Sequence, residues 1–156
     1  MEPRELRAIL TTGLLLGAGC ASPTRPPPGT ATKPAADSPE IAIVRSAVKA
    51  FNAHDPAAVV SHYAPAIKWY GVTADGQSLD GDGAENVRAW LVGYFTSTPG
   101  VRSEIESVLQ VGPHVAFREY VTWTGKDGRP RAQRSLGIYE IKDGAIHRAW
   151  YYPADR

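Results

Sequence analysis

The sequence predicts an α+β domain, with helices first and a sheet of mainly antiparallel strands after them. Three observations carry that reading. Two β-rich runs flank Asp143-Gly144 near the C-terminus, and Asp-Gly supplies the positive φ angles that a tight hairpin turn needs. Near the start of the folded part, Ile41, Val44, Val48 and Phe51 recur at helical spacing. Further strand-like runs crowd the C-terminal half, so helices and strands are segregated along the chain.

Taken in order, Ser38-Pro39-Glu40 starts the first helix with a hydroxyl cap, a proline at the first helical position and an acid in the first turn. Asn52-Ala-His54 ends it. Asp55-Pro56 opens a short second helix, expected to bury Val59 or Val60 and Tyr63 before Pro65 stops it. Residues 67–72 read as a strand and 74–77 as a turn. A third helix begins at Asp82 or Gly83, presents Val87, Trp90, Leu91, Tyr94 and Phe95, and ends at Pro99-Gly100. Strands follow at about 102–111, 115–124, 132–141 and 145–152. The expected order is α-α-β-α-β-β-β-β.

The folded domain is shorter than the 156-residue chain. Arg4 and Arg7 precede an apolar run from Ala8 to Gly19, the length of a signal-peptide core. Crossing a bilayer as a helix takes roughly 20 apolar residues, which this run does not supply. Gly17-Ala18-Gly19-Cys20 resembles a bacterial lipobox, in which the cysteine is acylated, although Gly17 stands where that motif prefers leucine. An ordinary secretory peptide cut after Ala21 is the alternative. Residues 21–38 are rich in Pro, Ala, Thr and Ser, a composition that cannot bury enough apolar surface to order itself. The expected organisation is therefore signal peptide 1–20, tether 21–38 and folded domain 39–153. Cys20 is the chain's one cysteine, which excludes an intramolecular disulfide and a multi-cysteine metal site. A net charge of +1 gives no basis for a nucleic-acid partner.

Several short motifs stand in a telling order: Phe51-Asn-Ala-His-Asp55 at the first helix end, Tyr63-Ala64, Gly83-Ala-Glu-Asn-Val87 opening the third helix, and Tyr139-Glu-Ile-Lys-Asp-Gly-Ala-Ile146 with Trp150. With them the domain resembles the nuclear transport factor 2-like superfamily, especially its SnoaL-like (polyketide cyclase) and steroid-isomerase-like branches. The resemblance covers nearly the whole domain. It implies a cone-shaped, strongly curved mixed or antiparallel sheet wrapped around the N-terminal helices, usually dimeric and often with an apolar pocket. It does not imply one reaction, because such a fold hosts enzymes, binders and assembly modules.

The catalytic positions of that superfamily are not matched. The steroid-isomerase tyrosine and two aspartates fall at about Ala47, Gly71 and Gly137, none of which can transfer a proton. The epoxide-hydrolase arginine falls near Glu119 and its aspartates near Val121 and Tyr151, so no base and acid partner are in place. No His pair has zinc spacing, and Asp80-Gly-Asp-Gly83 lacks the downstream ligands of a calcium loop and reads as turn plus helix cap. His54 is expected to be a helix terminator with a solvated ring. No Gly-x-Ser-x-Gly elbow occurs. Neither a metal nor a cofactor is implied.

Glu119 is what remains. Val115, Phe117, Glu119, Val121 and Trp123 form the more apolar row of their strand, so the row is expected to face the interior and to take Glu119 with it. A carboxylate on such a wall has its pKa raised, which suits acid–base work. The competing reading is a structural ion pair with Arg134 or Arg148. Among the abundant aromatics, Trp69, Trp90, Tyr94 and Trp123 are the expected pocket lining beside Glu119.

The function that follows is a lipid-anchored, extracytoplasmic domain that binds a small apolar or aromatic molecule or serves as an accessory subunit. It would face the periplasm or cell exterior and touch the membrane only through the lipidated N-terminus. An acid–base isomerase, cyclase or dehydratase using Glu119 is the alternative, and a structural dimer filled by its own aromatics is a third reading. A homodimer is expected through the outer sheet face, with Tyr120, Tyr139 or Tyr151 as the aromatic area to cover.

Overall fold

The computed structural model describes residues 37–153. The expected signal peptide, Cys20 and the tether before Asp37 lie outside the described residues.

Helix α1 (Pro39–Asn52) starts where Ser38 accepts the Ile41 amide at 3.1 Å, and it buries Val44 and Ala47. It stops at His54, whose φ of 54° leaves helical space. Asp55 caps α2 (Pro56–Val60) by accepting the Ala58 amide at 2.9 Å. Tyr63 does not belong to this helix, as the sequence suggested. It opens strand β1 (Tyr63–Thr73) and pairs with Ile146. The pairing of β1 then lapses until Lys68, a gap that contains Pro65, which has no amide to give to a ladder.

A second departure follows directly. Residues expected to form a turn and helix cap form strand β2 (Gly76–Asp82), antiparallel to β1 at the sheet edge. It is exposed almost throughout, so no apolar alternation marks it. Helix α3 (Ala84–Ser97) starts at Gly83, which supplies a φ of 88° but no side-chain cap, and it buries Val87 and Leu91. Strands β3 (Arg102–Val111), β4 (His114–Thr124), β5 (Pro130–Lys142) and β6 (Ala145–Pro153) complete the chain. Asp143 and Gly144, at φ 49° and 77°, make the tight turn between the last two.

The sheet runs β2-β1-β6-β5-β4-β3 and is curved and unclosed. Its β1–β6 contact is parallel and the rest are antiparallel. One core joins Val44, Ala47, Val59, Val87 and Leu91 of the helices to Ile67, Val115, Phe117, Tyr139, Ile146 and Ala149 of the sheet. Gly137 is required there: a Cβ on it would lie 2.7 Å from Phe117 Cε2, so the ring occupies the space a side chain would take.

Candidate functional site

Between the three helices and the concave side of the sheet lies a cavity of about 580 Å³. Glu119 stands on its wall, 7% exposed, on the same row as the buried Val115 and Phe117. Among the described residues, its carboxylate is held by hydroxyls alone. Ser103 Oγ donates to Oε1, and Ser135 Oγ, directly opposite on β5, donates to Oε2 at 3.1 Å. Burial pushes the Glu119 carboxyl above its ordinary range, while the two serine bonds pull the other way.

Neither expected arginine reaches it. Arg134 pairs with Glu106 at 3.1 Å and lies over the Tyr120 ring, and Arg148 donates to Glu140 at 2.9 Å. The reason is pleat. On β5 the inward row is Ser135, Gly137, Tyr139 and Ile141, so Arg134 points to the opposite face. Arg148 likewise sits away from the buried Ala149.

The Asn52 motif positions this group from behind. Asn52 Nδ2 donates to the Ser103 carbonyl at 2.8 Å, and its Oδ1 accepts the Ser103 amide at 2.8 Å. One side-chain amide thus pairs the free edge of β3 as a neighbouring strand would, fixing the residue that holds Glu119. His54 ends the helix and is exposed, as expected, but its ring is not free. Its Nε2 donates to the Val101 carbonyl at 2.8 Å, and the ring stacks on Phe95 at 4.8 Å.

Trp69, Trp90, Tyr94 and Trp123 all line the same cavity as Glu119. Trp90 stacks on Tyr94 (centroids 5.0 Å apart, planes 14° apart) while remaining half exposed at the mouth. Trp69 lies flat against Tyr151 at 4.8 Å and 4°. The sequence reading missed Tyr63, Tyr139 and Tyr151, which also line the space. Tyr139 and Tyr151 therefore correct the dimer expectation. They face inward, share a hydrogen bond of 2.8 Å between hydroxyls, and leave Tyr120 alone of the three on the outer face. Burial holds all three interior tyrosines well above the ordinary phenol range, and the Glu119 charge adds to it.

Ala47, Gly71, Val121 and Tyr151 also line the cavity, and Gly137 lies against Phe117. Among the described residues, no group of three or more His, Cys, Asp or Glu is placed to hold a metal ion. None of the described helices is long and apolar enough to cross a membrane.

A helix-backed curved sheet with a side cavity is the nuclear transport factor 2-like architecture. Residues 44–149 match the SnoaL-like domain, and the chain belongs to that family. Solved structures agree in fold. A cystatin-fold protein of Novosphingobium aromaticivorans is 24% identical, with a TM-score of 0.64 over 74% of this chain and 98% of that one. The candidate hydroxylase AclR of Streptomyces galilaeus is 20% identical, with a TM-score of 0.63 over 75% and 90%. The candidate polyketide cyclase IdmH of Streptomyces antibioticus is 18% identical, with a TM-score of 0.64 over 73% and 91%. No curated protein matches the sequence.

Proposed function

We propose that the domain binds one small, flat, largely apolar molecule in the aromatic cavity, with Glu119 as the polar group that orients it. The observation that carries this is a buried carboxylate that no cation among the described residues pairs with, opening onto a space of about 580 Å³ walled by tryptophan and tyrosine. Ligand sites are typically of this size and composition, mostly apolar with few convergent polar groups. A space this large argues against a domain filled by its own aromatics. Titration of the full chain with bicyclic aromatic alcohols, followed by calorimetry, tests the reading. Saturable binding that weakens on Trp69→Ala supports it, and no binding to any ring system removes it.

The second reading is acid–base catalysis, and the raised carboxyl of Glu119 favours it. A buried carboxyl facing a bound substrate can exchange a proton with it. Under this reading Glu119→Gln abolishes turnover and leaves ligand affinity largely intact.

Two further parts of the proposal concern surroundings. The outer sheet face is proposed as a homodimer contact, supported by an apolar row that runs in register through Leu109, Ala116, Ile138, Trp150 and Tyr70. A monomeric mass in light scattering would contradict it. Anchoring through acylated Cys20 rests on the leader pattern. Membrane fractionation of a Cys20→Ser variant tests it, and unchanged association would defeat it.

A further inference from the structure

The cavity's charges have one sign. Of the residues that line it, Asp80 and Glu119 are charged, and no lysine, arginine or histidine is among them. Arg118 and Arg134 are paired with Glu106, and Arg148 with Glu140.

Asp80 is placed there by a device. Trp69 pairs with Gly81 and Tyr70 with Leu79, so Asp80 is the extra residue of a β-bulge on β2. Bulges re-aim side chains and recur beside functional sites. This one turns the Asp80 carboxylate over Gly71, which carries no side chain to occupy the space. A Cβ built on Gly71 would lie 3.3 Å from Asp80 Cγ and 3.2 Å from Ser78 Oγ. Ser78 Oγ donates to Asp80 Oδ1 at 2.7 Å, and Oδ2 accepts no hydrogen bond among the described residues. Gly71 and Trp69 lie two residues apart on the same face of β1, so the carboxylate and the indole lie on the same side of the strand and line the same cavity.

We infer that the ligand carries a positively charged nitrogen, an aryl or alkyl ammonium, received between the carboxylates of Asp80 and Glu119 and the aromatic faces of the cavity wall. This rests on the ligand-binding reading above and names its ligand class. The ring faces of Trp69, Trp90, Tyr94 and Trp123 present negative π-density, which attracts ammonium groups most strongly once they are stripped of water. A buried carboxylate without a counter-ion is in a costly state that a bound cation relieves. An anionic ligand would meet two like charges and no donor cation, and a neutral one would leave the buried Glu119 uncompensated, the exposed Asp80 being solvated.

Three probes that share one ring system decide it: 1-naphthylmethylammonium, 1-naphthylmethanol and 1-naphthoate, titrated into the full chain by calorimetry near neutral pH. The ammonium is expected to bind about tenfold tighter than the alcohol, with the naphthoate weakest, and added salt should erode the ammonium's advantage. Asp80→Asn and, independently, Gly71→Ala (which displaces the Asp80 carboxylate without touching its charge) should each cut that advantage severalfold. Both sites tolerate the change: Asp80 is on an exposed edge strand, and Gly71 faces only flexible side-chain ends. If the alcohol binds as tightly as the ammonium, the cation inference is overturned and ligand binding stands. If none of the three binds, both fall. If the ammonium wins but neither variant reduces its lead, Asp80 is removed from the site.

Discussion

Glu119 and Glu140 are equally hidden, at 7% and 5% exposure, yet their carboxyls move in opposite directions. Glu140 lies on the outer face between Lys142 at 2.5 Å and Arg148 at 2.9 Å, and these cations hold it below the ordinary carboxylate range. Glu119 lies on the inner face among serines and tyrosines, where burial raises it. Burial alone therefore does not decide a carboxylate's behaviour; the presence of a counter-ion does. The outer face satisfies its charges internally, and the inner face leaves its charge for something else.

If the inner face is the specified one, its substitutions should cost far more than those outside. Gly137→Val is expected to be the most damaging, on the order of 3 kcal/mol, because the new side chain must displace the Phe117 ring from a packed core. Leu136→Val, one residue away but 41% exposed on the outer row, should stay within about 0.5 kcal/mol. Equal losses in urea unfolding would break the comparison. Asn52→Ala comes next, at about 2 kcal/mol, since both a donor and an acceptor of Ser103 lose their partner. Asn52→Asp should restore only the half that accepts the Ser103 amide, and intermediate stability would show it.

Glu119 gives a sharper test through pH. Its folded carboxyl is raised, so the folded state binds more protons than the unfolded chain between the two values. Stability is then lost as pH rises from the unfolded carboxyl value through the folded one. Glu119→Gln cannot ionise and escapes that loss. The variant should melt higher than the parent near neutral pH, with the gap closing below about pH 4, the ordinary glutamate range. A variant that melts lower at neutral pH would mean that the serine bonds outweigh the desolvation of the carboxylate.

Much of this was legible in the sequence. The helices announce themselves through Ser38-Pro39 and Asp55-Pro56 caps, the final hairpin through Asp143-Gly144, and the inward row of β4 through its alternation. What escaped has physical causes. Strand β2 is an exposed edge whose residues carry no buried face to read. The inward row of β5 holds Ser135 and Gly137, while its outward row holds Leu136 and Ile138, so hydropathy favours the wrong face and hides Tyr139. In β6 the pairing slips between Glu140 and Ile141, and Ile146 and Ala149 are both buried. That break in the period of two is what sends Tyr151 inward. Asp80 was hidden by the same kind of event, a bulge that exists only once β1 and β2 are paired.

Of the two carboxylates the smaller effect belongs to Glu140, and its sign must be the reverse of that at Glu119. A lowered folded carboxyl means that the unfolded chain takes up protons first as pH falls. The contribution is therefore fully present above the unfolded value and is lost as pH falls through the folded one. Lys142 and Arg148 are both about half exposed, so solvent screening limits the pair to about 0.5–1 kcal/mol. Glu140→Gln should then melt slightly lower than the parent near neutral pH, with the gap vanishing in acid and shrinking in high salt. Glu119→Gln should show its gap with the opposite sign and little response to salt, since no solvent-exposed cation faces that carboxylate. Two glutamine variants on opposite faces of one sheet, melted across the same pH series, would separate the two kinds of buried carboxylate in one experiment. If both gaps have the same sign, counter-ions are not what distinguishes them.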